Sequence, residues 1–194
     1  MKSTFLIGLF IIICSNLSFA QTINNDIVQE SNSAQNLNDI RNTVAVGQAY
    51  KKEDFGAWTL RCVRTEEGVD PCQLFQLLLG PDGSPVAEFT MINLQPSENI
   101  VAGANVVTPL ETLLTSQLII KVGDKMNQTY PFSFCLEIGC VARVGFSSTD
   151  LENYKKGNSA VITIVPANAP DSPQNLTLSL KGFTDGYTAL RDGL

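Results

Sequence analysis

From Phe55 onward the chain alternates apolar and polar residues in short runs broken by turn residues, the period-two texture of half-buried strands. In AWTLRC, Trp58, Leu60 and Cys62 fall on one face, and Thr59 and Arg61 on the other. EEGVDP (66–71) reads as a turn, CQLFQLLLG as a second strand, and GPDGSP (80–85) as another turn. VAEFTMINL sets Ala87, Phe89 and Met91 against Glu88 and Thr90. ENIVAGANVV predicts an edge strand or an irregular connection, and LETLLTS a helical turn or a short loop. QLIIKVGDKMNQTYPFSF reads as strand, Gly-Asp turn, strand. VARVGF alternates again, and SAVITIVP and LTLSLKGF add two more strands. STDLENYKKGN breaks the period and predicts a helix, capped by Ser148 or Thr149 and stopped at Gly157. FTDGYTAL predicts a last helical turn. Eight or so strands, one short helix and no βαβ rhythm predict an all-β, antiparallel sandwich.

The N-terminus has a different pattern. Lys2 is followed by an apolar run from Phe5 to Cys14, and Ser18 and Ala20 are spaced for cleavage after Ala20. Residues 1–20 are therefore expected to be a signal peptide, which places the chain in the periplasm or cell envelope, surface-associated or secreted. Residues 21–47 are rich in Asn, Gln, Ser and Asp and contain no aromatic residue, so a flexible polar arm is expected there. Residues 48–194 are expected to form the single sandwich domain.

Charge and composition then exclude chemistry. The formal net charge is −6 and no cluster of Lys and Arg stands out, which argues against a nucleic-acid partner. The chain has no histidine, which removes Ser-His-Asp and Cys-His catalysis and imidazole metal ligands. Glu88, Glu98, Asp124, Glu137 and Asp150 show no spacing that pairs them for acid–base work, and no phosphate-loop glycine pattern occurs. The expectation is a protein that is not an enzyme, with no cofactor, no metal and no small-molecule substrate.

Four cysteines follow the leader: Cys62, Cys72, Cys135 and Cys140. Structural zinc favours C-x2-C knuckles, and thiol exchange favours C-x-x-C at a helix N-terminus. The spacings here are C-x9-C and C-x4-C, so an even set in an exported chain reads as disulfides. Each local pair brackets a turn, which favours Cys62–Cys72 and Cys135–Cys140 over an inter-sheet pairing such as Cys62–Cys140 beside Trp58. Each bridge is expected to contribute about 2–3 kcal/mol. Closure of FCLEIGC into a stapled hairpin exposes Leu136, Glu137 and Ile138 as a possible partner-contact loop.

FGAWTLRC, QLFQLL, VVTPLETLLTSQLIIKVG and above all FSFCLEIGCVARV resemble the invasion-associated locus B family of exported alphaproteobacterial proteins. The likeness runs from about Tyr50 to Phe183, and the polar arm departs from it. The resemblance implies an immunoglobulin-like β-sandwich, export to the envelope, and a virulence role in entry into host cells, erythrocytes included. It brings no catalytic residues; Trp58 and the four cysteines match as framework. The expected function is a binding protein that promotes invasion through a protein partner on the host surface or in the bacterial envelope. The alternative is a structural or chaperone-like periplasmic protein that affects invasion only indirectly.

Overall fold

The structure, a computed structural model, describes residues 40–95, 97–124 and 126–193. The expected signal peptide, and the arm as far as residue 39, lie outside the described residues. Among these residues eleven strands form two antiparallel sheets. The larger sheet has the spatial order β1 (Ala49–Phe55), β2 (Trp58–Val63), β3 (Cys72–Leu79), β4 (Pro85–Ile92), β5 (Ala102–Thr108), β9 (Gly139–Phe146), β8 (Phe132–Leu136). The smaller has the order β11 (Gln174–Ser179), β10 (Ser159–Ile164), β6 (Leu118–Val122), β7 (Met126–Tyr130). Helices α1 (Ser148–Lys156) and α2 (Phe183–Asp192) and a short 3-10 helix at Leu114–Ser116 lie between and after the strands.

The alternation predicted from the sequence sets the inner face. Trp58, Leu60 and Cys62 of β2, Leu74 and Leu78 of β3, and Ala87, Phe89 and Met91 of β4 are all buried. They join Ile120, Ile162 and Leu178 of the smaller sheet in one core, so the architecture is an all-β sandwich. Trp58 packs edge-on to Phe89 at 5.8 Å between ring centroids and lies 5.3 Å from Phe183 of α2. Tyr154 of α1 lies 5.0 Å from Phe146 and 5.5 Å from Phe183. Such aromatic pairs add about 0.5–1.5 kcal/mol each beyond the area they bury. Gln76, an inward polar residue of β3, ties the sheets directly: its amide donates to the Ser179 carbonyl (2.9 Å) and accepts from the Ser179 N–H (2.8 Å).

Several elements differ from the sequence reading, each for a local reason. Among the described residues the count is eleven strands rather than eight or so. ENIVAGANVV is neither an edge nor a connection: β5 lies between β4 and β9. Its small residues Ala102, Gly103 and Ala104 are buried, and a side chain at Gly103 would meet Leu94. The strand expected over MNQTYPFSF is two strands in different sheets, β7 and β8, and the chain crosses over at Pro131. Proline has no N–H to donate to a ladder, so it suits a change of sheet. Helix α1 is capped by Ser147, one residue before the expected positions. Ser147 is three residues before Asp150, and the two close a capping box. The tail is a second helix of ten residues rather than a single turn, because Phe183, Tyr187 and Leu190 recur on one face and are buried. Residues 49–55, charged and largely exposed, form edge strand β1.

Candidate functional site

Both disulfides join residues that face each other across an antiparallel pair. Cys62 lies opposite Cys72 where β2 hands over to β3, with Cα atoms 4.0 Å apart. Cys135 lies opposite Cys140 where β8 turns into β9, with Cα atoms 3.9 Å apart. Cys62–Cys72 sits one strand in from the β1 edge, and Cys135–Cys140 joins the strand at the β8 edge. The registers put them at opposite ends of the strands. Cys72 begins β3, whereas Cys140 pairs with Thr108 at the end of β5, the end shared with Leu79 and Pro85. The two staples therefore occupy diagonal corners of one sheet.

The first corner is sealed. Asp70, in the loop before Cys72, has a side chain only 6% exposed. It accepts from Arg41 Nε (2.6 Å) and Nη2 (3.1 Å), from Tyr50 Oη (2.8 Å) and from the Thr65 N–H (2.8 Å). The Arg41 hydrogen bond, more than any other contact, holds the Asp70 carboxyl well below the usual carboxylate range. Burial, and then the hydrogen bond to Asp70, push the Tyr50 phenol up to about 12. Arg64 donates to the Val44 carbonyl, and the Gly47 N–H donates to Arg64 O at 2.9 Å. Residues 40–47, assigned from composition to the polar arm, are thus held against the disulfide loop. Arg41 and Asp70 are 29 residues apart, so no local pattern announces the pair.

The second corner is open. The hairpin turn Leu136–Gly139 is closed by its own disulfide and rests on β5. Gly139 has φ +139°, and a side chain there would collide with the Thr108 carbonyl. Thr108 Oγ1 in turn donates to Cys140 O at 3.3 Å. The backbone is therefore fixed, while Leu136 (55% exposed), Glu137 and Ile138 (75% exposed) project into solvent. A bulge between Phe132 and Phe134 changes the face of β8. Phe132 packs against the core, and Phe134 lies on the outer face, with the Arg143 guanidinium 5.3 Å from its ring centroid. Behind Ile138 lies a groove of about 250 Å³, lined also by Leu77, Val86, Glu88, Val107 and Pro109. The hairpin loop was visible in the sequence; the groove was not, because β3, β4 and β5 supply its other walls.

A model of the invasion associated locus B protein family matches residues 58–191. The chain belongs to the invasion associated locus B family. Its match runs from Trp58 of β2 through most of α2, and so includes both disulfides. Two invasion protein B homologues of Brucella abortus, from strain 2308 and from biovar 1 strain 9-941, are each 24% identical over 140 residues. In both cases the alignment covers 71% of this chain and 77% of the relative. The crystal structure of invasion associated protein B from Bartonella henselae superposes with a TM-score of 0.60 at 19% identity. That superposition covers 72% of this chain and 94% of the Bartonella chain, a likeness of fold.

The rest of the family domain offers little chemistry to set beside the open corner. Among the described residues no group of three or more Cys, Asp or Glu could hold a metal ion. Of the carboxylates considered in the sequence, Asp150 accepts from Gln128 (2.9 Å) and caps α1, and Glu88 lines the groove. Glu137 stands at the hairpin tip. No helix among the described residues is long and apolar enough to cross a membrane.

Proposed function

We propose that this family member is an exported, non-enzymatic binding protein of the bacterial envelope that promotes invasion of host cells, erythrocytes among them. Its contact loop is Leu136–Glu137–Ile138. The observation that carries the reading is the open corner: a covalently closed, glycine-seated hairpin that holds two large aliphatic side chains in water. Ordering a loop on binding costs about 0.5–1.5 kcal/mol per immobilised side chain, and a preformed loop avoids part of that cost. The family and the relatives it matches are described by invasion, which supports the biological role. Cys62, Cys72, Cys135 and Cys140 are all engaged in disulfides and the chain has no histidine, which supports a role without catalysis. The partner is a protein on the host surface or in the envelope.

The test is complementation of a deletion strain with wild-type protein or with a Leu136→Ser/Ile138→Ser variant made at equal level, scored by protected intracellular bacteria. The variant is expected to restore invasion poorly. Full restoration by the variant sinks the contact loop. Protease treatment of intact cells tests direct host contact, which requires that the protein be cleaved.

A further inference from the structure

We infer that the groove behind Ile138 receives a basic-aliphatic segment of a partner protein, one that presents an aliphatic side chain beside a Lys or Arg. The inference rests on the binding role proposed above and specifies the chemistry of its site.

Three stretches distant in sequence meet at this end of the large sheet: residues 77–88, 107–111 and 136–139. Register ties them together. Leu77 lies opposite Glu88, Glu88 opposite Val107, Val107 opposite Val141, and Val141 opposite Phe134, in one row across five strands. Leu77, Leu79, Leu110, Leu136 and Ile138 are exposed there. An exposed cluster of large aliphatic residues is a feature that soluble surfaces usually limit. Apolar burial alone fits many occupants; charge narrows the choice. The same three stretches carry Asp82, Glu88, Glu111 and Glu137 and contain no Lys or Arg. Glu88 is the one charged residue among those lining the groove. The nearest basic residue in the register, Arg143, lies one row further along the strands, opposite Asn105, and its guanidinium is over Phe134.

Glu88 at the groove, and the acidic balance of the stretches that form it, disfavour two occupants. Residues 21–39 of the chain itself contain Asp26, Glu30 and Asp39 and no basic residue, so their charge has the same sign as Glu88. A second copy docked by the same surface would set these carboxylates against one another, and like charges brought together weaken association. A foreign segment with alternating aliphatic and basic residues satisfies both features. Its aliphatic side chain fills the space between Ile138, Leu77 and Val86, and its cation pairs with Glu88.

The experiment uses the oxidised, 15N-labelled protein and three synthetic decapeptides: alternating Lys-Leu, alternating Lys-Ser and alternating Glu-Leu. The Lys-Leu peptide is expected to shift amides within residues 77–88, 107–111 and 136–139, and to bind more weakly as salt rises. Ile138→Ser is expected to weaken it about tenfold and Glu88→Gln about threefold. Val69→Ser, at an exposed site near the other disulfide, should leave it unchanged. Equal binding of the Lys-Ser or Glu-Leu peptide overturns the assignment. So do shifts centred elsewhere, indifference to Ile138→Ser, or sedimentation of the free protein as a dimer that Ile138→Ser dissolves. Failure of this inference is separable from failure of the proposed function. If the Lys-Leu peptide leaves these amides unmoved while Leu136→Ser/Ile138→Ser still impairs invasion, the charge assignment falls and the contact loop stands. If the peptide binds as described while that variant invades normally, the groove stands and the invasion role falls.

Discussion

The two disulfide corners of the large sheet share a chemistry and differ in everything around it. At Cys62–Cys72 the covalent link is backed by a buried carboxylate with Arg41, Tyr50 and Thr65 around it, and by an N-terminal segment laid across the loop. At Cys135–Cys140 the link is the main constraint on a turn whose side chains touch little else, and Gly139 on Thr108 is its seat. The difference separates two uses of a short disulfide. One locks a strand pair and its neighbours into the core; the other fixes a shape on the surface and leaves its side chains free. Stability should therefore respond mainly at the first corner and binding mainly at the second.

Cys62→Ala/Cys72→Ala should produce the largest loss. It opens a loop of sequence separation 10 and empties space at the fully buried Cys62. The expected destabilisation is about 3–4 kcal/mol, a fall in Tm of about 10 °C by calorimetry. Next comes Asp70→Asn, expected to cost about 2–3 kcal/mol by denaturant titration, because Arg41 and Tyr50 lose a charged acceptor. It should also speed proteolysis within residues 40–48. The folded-state Asp70 titrates below its unfolded value near 4. Its contribution is therefore complete above about pH 4 and is lost as pH falls below that, toward the depressed folded value. Asp70→Asn should flatten this acid limb of a stability–pH curve, and an unchanged limb would assign it to other carboxylates. Cys135→Ala/Cys140→Ala opens a shorter loop, with separation 5, and should cost about 2 kcal/mol while leaving the sandwich folded. It should reduce invasion as much as the tip variant does. Smallest of all, Ile138→Ser should change stability by no more than about 0.5 kcal/mol, measured by the same titration. A destabilisation above 2 kcal/mol at Ile138 would collapse the distinction between the corners.

The parts that the sequence made legible are those where neighbours in space are neighbours in the chain. The alternation in WTLRC and VAEFTMI reads directly as one buried face, and each cysteine pair brackets a turn of its own hairpin. Strand β1 was illegible because AYKKEDF is an edge strand whose residues are mostly exposed, so burial imposes no alternation. Strand β5 was illegible for the opposite reason: it is so closely packed that small residues replace the large ones that signal a strand. The crossing at Pro131 hid a change of sheet inside one apparently continuous run. At the candidate site, the Leu136–Ile138 loop was readable from FCLEIGC. The Arg41–Asp70 pair, 29 residues apart, and the groove, whose walls come from β3, β4, β5 and the hairpin, are joined only by the folded register.

The ring formed by Cys135, Cys140 and the four residues between them has an evolutionary consequence. Its conformation is set by the bridge and by Gly139, not by the identities of Leu136, Glu137 or Ile138. Those positions can therefore change with little effect on folding. A library randomised at residues 136–138 should yield mostly folded protein, whereas one randomised at residues 69–71 should not. Under the proposed contact role, the hairpin would let recognition change while the scaffold stays the same.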